Sequence, residues 1–322
     1  MSKEAIIEYL GSDWTRTQEM IRSSLQTDVE LLSDVNEEVL SHGGKMLRPM
    51  LTLLIARACG ILTEDSIKYA VASEILHNAT LMHDDVADES AERRGVPTVS
   101  SRLGPNAAVL VGDFWLARAV RVVLDTDHHE EVVSYFSKTL ADLAEGEMLQ
   151  LQKASSGDTT EEEYYRIIYS KTASLFEASL LAGAVSSEAC DEYKEIARNY
   201  AKSLGIAFQI KDDILDYVGD TKVGKPVGID LREQKITLPL IGAMMNSPRE
   251  KEIRQKVTRI HSNPEYLEEI SEYVRNGGGL EYAAKRLKEH VERAVAALSP
   301  LPDSRAKEFL IQLAEYNIFR EQ

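Results

Sequence analysis

Residues 67–88 read IKYAVASEILHNATLMHDDVAD, an apolar helical run that ends in Asp84-Asp85-Val86-Ala87-Asp88. Ile67, Val71, Ile75, Ala79 and Met82 recur at the three-and-four spacing of one buried helical stripe. Residues 204–216, LGIAFQIKDDILD, repeat the arrangement and end in Asp212-Asp213-Ile214-Leu215-Asp216. On a helix, positions i and i+4 share a face and i+1 lies about 100° round, so each triplet gathers its carboxylates over roughly 6 Å of rise. Like charges at that spacing repel by roughly 0.2–0.5 kcal/mol in an isolated helix, so each cluster calls for a counter-charge. Hard divalent cations suit it, since Mg²⁺ takes one or two carboxylates together with substrate phosphate oxygens. A single Asp-Asp-x-x-Asp reads as a solvated acidic face. Two copies, each on an apolar helix, read as two facing walls with metal and phosphate between them. Cations follow each copy: Arg93-Arg94-Gly95 after the first, Gly224-Lys225-Pro226 and Lys235 after the second. Arginine meets phosphate with two parallel donors and lysine as a point charge.

The rest of the chain also reads as helix, which predicts an all-α fold. Ser247-Pro248-Arg249-Glu250 gives an N-cap, a proline at the first helical position and an acid at the third. Asn263-Pro264 is a second start signal, and Thr160-Glu161-Glu162-Glu163 reads as a capping box. Arg102 to Asn106, with Gly104-Pro105, predicts a turn between helices. Asn276 to Gly279 reads as a helix stop; it lacks the flanking strand and lysine of a phosphate loop. Gly219 to Arg232 is a polar loop whose Lys222 and Lys225 are placed to close over bound phosphate. No linker divides the chain, and the two clusters, 128 residues apart, must share one cavity if they cooperate. One large helical domain over residues 1–322 is the expectation.

Composition narrows the function. With 37 basic and 53 acidic residues the formal charge is −16, and no basic stripe is visible. That argues against nucleic acid as a partner. It also opposes an anionic substrate unless bound divalent cations invert the local charge. Cys59 and Cys190 are far apart in sequence, and both read as reduced, core-filling thiols, which suits the cytoplasm. Met1 to Trp14 is polar and unlike a signal peptide. No apolar run approaches the roughly 18–20 residues that span a bilayer.

From about Gly43 to Pro239 the chain resembles the trans-isoprenyl diphosphate synthases, or polyprenyl synthetases. Carrying the resemblance are Gly43-Gly44-Lys45-Met46-Leu47-Arg48-Pro49, His77 to Asp88 with Arg93-Arg94-Gly95, Lys171-Thr172, Phe208-Gln209, Asp212 to Asp216, Gly224-Lys225-Pro226 and Lys235. It implies a single helical bundle of the isoprenoid synthase type around a deep central cavity, working as a homodimer. It implies ionisation of an allylic diphosphate bridged by Mg²⁺, three ions per site, to Asp84, Asp85, Asp88, Asp212, Asp213 and Asp216. Arg93, Lys171, Lys225 and Lys235 would then stabilise the departing diphosphate, an electrostatic form of catalysis. Lys45, Arg48, His77 and Arg94 would hold isopentenyl diphosphate, with Gly44 allowing close backbone approach. Thr172 and Gln209 would steady the allylic cation. Phe208 fits packing and cation-facing roles alike. The leaving diphosphate would serve as base, which accounts for the lack of an obvious His or Glu base.

Within the resemblance, product length turns on the residues beneath the first cluster. Bulky aromatics there look like short-chain stops, whereas Ala79 and Thr80 are small. A deeper tunnel, with Tyr135, Phe136 or Leu140 as candidate floors, implies a product of about C30–C50 of the kind used for quinone side chains. A short-chain farnesyl- or geranylgeranyl-type synthase and a catalytically silent subunit are the alternatives. A greasy product also makes peripheral membrane association an expectation for its release.

Overall fold

A computed structural model describes residues 3–93, 95–218 and 228–319. Among them are seventeen α-helices, one π-helical turn and a single hairpin of two-residue strands, so the all-α expectation holds. The chain divides into two compact units. The first runs through Ser137 and adds Ala178–Ala197 and Leu301–Leu310; the second holds Lys138–Glu177, Arg198–Pro300 and the residues from Ile311 onward.

The first unit begins with α1 (Lys3–Leu10), α2 (Ser12–Ser24), α3 (Glu30–Ser41), α4 (Leu47–Cys59) and α5 (Glu64–Ala87). The short strands β1 (Glu92–Arg93) and β2 (Val96–Pro97) pair antiparallel, and then come α6 (Val99–Leu103) and α7 (Pro105–Leu124). Helix α5 is the core of this unit and packs against α2, α4 and α7. Its start is fixed twice: the Thr63 side chain accepts from the Ser66 N–H, and Ser66 Oγ accepts from the Thr63 N–H. Glu64 and Asp65 in its first turn suit the positive end of the helix dipole. From Ile67 to Leu76 it is buried nearly all round, and the five stripe residues of the sequence pattern are all buried. Burial of each larger side chain, Ile67, Val71, Ile75 and Met82, contributes about 1.5–3 kcal/mol relative to exposure. The contact with α7 is close at Gly112, where a Cβ would lie 2.4 Å from His83 Nε2. Two buried polar side chains here pair with each other: Trp115 Nε1 donates to Asn36 at 2.7 Å, and Asn36 donates to the Leu25 carbonyl at 2.9 Å. Gly104, at φ +86°, makes the expected break between α6 and α7.

Helices α8 (His129–Ser156), α10 (Ser174–Ser186), α11 (Asp191–Val218) and α17 (Arg305–Phe319) each contribute residues to both units. The second unit also contains α9 (Glu161–Ile168), the π-helical turn Tyr169–Ala173, α12 (Ile229–Arg232), α13 (Leu238–Met244), α14 (Glu250–Val257), α15 (Tyr266–Asn276) and α16 (Gly279–Ala297). The Thr160 capping box is present, with Glu163 accepting the Thr160 N–H at 2.9 Å. Gly278, at φ +75°, separates α15 from α16 where a stop is expected. The Ser247 start signal needs correction, since α14 begins at Glu250. Ser247 Oγ instead accepts the Arg249 N–H at 3.2 Å and closes a turn before the helix.

The cysteine reading holds only in part. Both thiols are free, but Cys190 is exposed and so does not fill a core. Burial, then the nearby Cys190, pushes the Cys59 thiol up to about 12. Among the described residues no helix is long and apolar enough to cross a membrane.

Candidate active site

In the first unit, α5 ends at Ala87 and Asp88 is its C-cap, so the first carboxylate cluster sits at the negative end of a helix dipole. That placement sharpens the need for a cation. Asp85 is buried and accepts a hydrogen bond from Arg93 Nε at 2.7 Å. Arg93 stands in β1, and Gly95 at φ +76° turns the hairpin that carries it. The arginine expected on the diphosphate is therefore seated against a carboxylate of the cluster. A cavity of about 90 Å³ opens beside this pair, lined in part by Asn78, Leu81 and Met82. Asp84 is half-buried and Asp88 exposed, while Arg94 lies outside the described residues.

Further back along α5, Thr80 Oγ1 donates to the His77 carbonyl at 2.8 Å, and Ala79 is buried. His77 and Thr80 are half-buried. On α4, which packs against α5, Arg48 occupies the first turn. Exposed Lys45 and half-buried Gly44 lie in the loop before it. The residue that turns this loop into the helix is Met46, at φ 52°, and not a glycine. A non-glycine in the left-handed region costs about 1–2 kcal/mol. That strained turn sits between the two cations.

In the second unit the carboxylates of α11 are already organised by their neighbours. Asp213, 2% exposed, accepts from Tyr164 Oη at 2.6 Å and from Gln209 Nε2 at 2.9 Å. Gln209 Oε1 in turn accepts from Thr172 Oγ1 at 2.8 Å. Both carboxylate oxygens of Asp216 accept backbone N–H groups, from Ile229 at 3.0 Å and Asp230 at 3.1 Å, which caps the start of α12. Asp212 is exposed. Thr172 and Gln209, read in sequence as neutral neighbours of the cation, thus also lock Asp213. Lys171 and Thr172 lie in the π-helical turn, a device that often marks functional sites. Glycines make room for that turn: a Cβ on Gly205 would lie 2.6 Å from Ala173 Cα, and one on Gly146 would lie 2.6 Å from Ser170 Cβ. Lys171 pairs with Glu147, and Lys235 with Glu233. Phe208 packs on Phe176 with ring centroids 5.9 Å apart. Lys225 and Lys222 lie outside the described residues.

Two residues of this site carry no motif in the sequence. Tyr164 follows three glutamates in no recognisable spacing, and Asp230 stands at the end of a polar loop. Burial, followed by the Asp216 charge, pushes the Asp230 carboxyl up to about 7. Burial and then Asp230 push Asp213 well above the carboxylate range, against the hydrogen bonds from Tyr164 and Gln209. Such a set of crowded oxygens is stabilised in its ionised form by a divalent cation. Among the described residues no group of three His, Cys, Asp or Glu forms a protein-only metal cage. An all-oxygen set that leaves ligand positions for phosphate fits Mg²⁺.

Comparison with known proteins agrees with this chemistry. A family model described as polyprenyl synthetase matches residues 29–274. The chain is 41% identical over 332 residues to the all-trans-nonaprenyl-diphosphate synthase (geranyl-diphosphate specific) of Rhodobacter capsulatus, covering 99% of this chain and 98% of that one. It is 38% identical over 324 residues to the octaprenyl diphosphate synthase of Escherichia coli (strain K12), covering 100% of both. Its fold matches the polyprenyl synthase from Caulobacter crescentus CB15, crystallised with calcium and isoprenyl diphosphate, at a TM-score of 0.92 and 34% identity, covering 99% of this chain and 98% of that one. By the family model and by these full-length relatives, the chain belongs to the polyprenyl synthetase family, an all-α family of prenyltransferases.

Proposed function

We propose that this prenyltransferase condenses an allylic diphosphate with successive isopentenyl diphosphate units to make a long all-trans polyprenyl diphosphate, about C30–C50, for quinone side chains. The observation that carries the reading is the pair of small side chains, Ala79 and Thr80, on the helix that leads into the first carboxylate cluster. The names of the full-length nonaprenyl and octaprenyl relatives support the same direction.

In this reading Asp84, Asp85 and Asp88 with Asp212 hold Mg²⁺ and the allylic diphosphate, while Asp213 and Asp216 contribute directly or through water. When bound, the metal supplies Lewis-acid stabilisation to the departing diphosphate. The protein residues do the rest. Arg93, Lys171, Lys225 and Lys235 place fixed positive charge around the leaving group. Lys45, Arg48, His77 and Arg94 orient isopentenyl diphosphate, and Gly44 lets its backbone approach. Thr172 and Gln209 present oxygens towards the allylic cation, and their hydrogen bonds also fix Asp213. No nucleophile is needed, and the helical walls must keep water from quenching the cation.

Residues 1–322 act as one prenyltransferase domain, and the family model spans residues assigned to both compact units. The enzyme acts as a cytoplasmic homodimer that releases its greasy product at a membrane surface. The free thiols support the compartment. Helix α7 leaves Leu110, Val120 and Leu124 exposed along one stripe, a face suited to self-association.

The test is incorporation of labelled isopentenyl units onto farnesyl or geranyl diphosphate by the purified protein. Incorporation should depend on Mg²⁺, stop with EDTA and fall at least about 100-fold in Asp212→Asn. Absence of metal-dependent condensation with any primer would favour a catalytically silent subunit instead.

A further inference from the structure

A cavity of about 550 Å³ lies in the second unit between α9 with its π-helical turn, α11 and α16. Four cations line it, Arg166, Lys202, Arg286 and Arg293, against two carboxylates, Glu161 and Glu289. An excess of positive charge stands out in a chain of formal charge −16. Both carboxylates already have partners. Arg286 Nη1 donates to Glu289 at 2.8 Å, and Tyr282 Oη donates to Glu161 at 2.8 Å with Arg286 Nε 3.7 Å away. Arg293 and Lys202 form no ion pair within 4.0 Å among the described residues, and the Lys202 ammonium lies 5.4 Å from the Tyr169 ring centre. Both side chains are exposed.

His290 lines the same cavity and is 9% exposed. Its Nδ1 is buried and has no hydrogen-bond partner among the described residues. Nδ1 has no accessible surface, so only the Nε2 edge of the ring can meet an occupant of the cavity. The ring lies 5.6 Å from the Tyr165 ring. Burial, then Arg293, pushes the imidazole down to about 4, so at neutral pH it is uncharged and has one N–H to donate.

We propose that this cavity binds a phosphate-bearing anion, with the His290 ring, Lys202 and Arg293 supplying its donors. A phosphate group offers several acceptor oxygens and up to two charges, which matches an ammonium, a guanidinium and an imidazole lining one cavity better than a single carboxylate does. None of these residues belongs to the two carboxylate clusters or to the cations assigned to the substrates. The proposal therefore stands whether or not the long-chain reading does. Lys202 precedes Asp212 on α11 by ten residues, so an occupant would brace the helix that carries the second cluster.

The test is titration of the full-length protein with inorganic diphosphate in EDTA, read by calorimetry and by the ¹⁵N resonances of the His290 ring. Removing metal keeps the probe off the carboxylate clusters. Saturable binding should weaken about tenfold or more in the Lys202→Gln, Arg293→Gln double variant, as expected for two lost charge-assisted contacts. The component that depends on Lys202 and Arg293 should persist in Lys45→Gln, which removes only diphosphate held by the cations assigned to isopentenyl diphosphate, and the His290 resonance should move with occupancy. Binding lost in Lys45→Gln and untouched by the double variant would assign the anion to the substrate side and overturn the proposal. So would a His290 resonance that stays fixed up to about 10 mM diphosphate. ATP binding more tightly than diphosphate, with the same dependence on Lys202 and Arg293, identifies a nucleotide as the phosphate source; weaker ATP binding identifies the free anion.

Discussion

Tyr164→Phe removes one oxygen from the second unit and tests whether Asp213 is held as a carboxylate by its neighbours. The Tyr164 hydroxyl donates to Asp213 Oδ2 at 2.6 Å, and both residues are buried. The remaining donor is Gln209, at 2.9 Å on the other oxygen. A hydrogen bond to a buried charged group is worth about 1.5–3 kcal/mol, and the phenyl ring keeps the packing. At pH values where Asp213 is ionised the variant should lose that amount of stability, read by urea unfolding in EDTA. The loss should also depend on pH. The Tyr164 hydrogen bond lowers the Asp213 pKa, so without it the folded-state pKa rises further. Asp213 then protonates at higher pH in the variant, and the gap from wild type narrows as pH falls. Turnover with Mg²⁺ should drop about tenfold, because Asp213 also anchors Gln209 and Thr172. A pH-independent loss below about 0.5 kcal/mol would refute the reasoning, because Asp213 would then owe nothing to this bond.

Other outcomes follow from the same geometry. Asp230 has a folded-state pKa of about 7, raised above its ordinary value of 3.8. Below the lower value both states are protonated and its contribution is fully present; it is lost as pH rises towards 7, so metal-free protein should lose stability across that window. Added Mg²⁺ should flatten the trend, as thermal unfolding against pH would reveal. Gly205→Val sets a side chain against Ala173, where a Cβ already comes within 2.6 Å of the Cα. It should cost about 1–3 kcal/mol in denaturant unfolding and lower turnover by shifting the turn that bears Lys171 and Thr172. Alkylation of native protein with iodoacetamide, followed by mass spectrometry, should modify exposed Cys190 first and Cys59, with its pKa near 12, far more slowly.

Much of the fold was legible because its signals are local. The α5 stripe from Ile67 to Met82, the Thr160 capping box and the Gly104 break each depend on a few adjacent residues, and each stands where expected. The Ser247 signal lies two residues early because its hydroxyl serves a turn before α14. The carboxylate clusters were legible as a repeated pattern, but the partners of each carboxylate were not. Arg93 on Asp85 depends on a hairpin of two-residue strands, too short to leave a period. Tyr164 on Asp213 joins residues 49 apart in the chain. The π-helical turn under Lys171 follows from close approach at Gly146 and Gly205, and neither glycine announces that role in sequence. Cys190 stands outside the core because the break before α11 exposes it. Met46 carries a left-handed turn beside two glycines that would adopt it more cheaply.

The most direct test of the central claim is product length. The purified protein would be incubated with Mg²⁺, farnesyl diphosphate and labelled isopentenyl diphosphate, and the products separated by chromatography after dephosphorylation. If Ala79 and Thr80 leave the tunnel open, wild type yields products of about C30–C50 and Thr80→Phe shifts them towards C15–C20. Wild-type products that stop at C15 or C20, with shorter primers as well, would contradict the account.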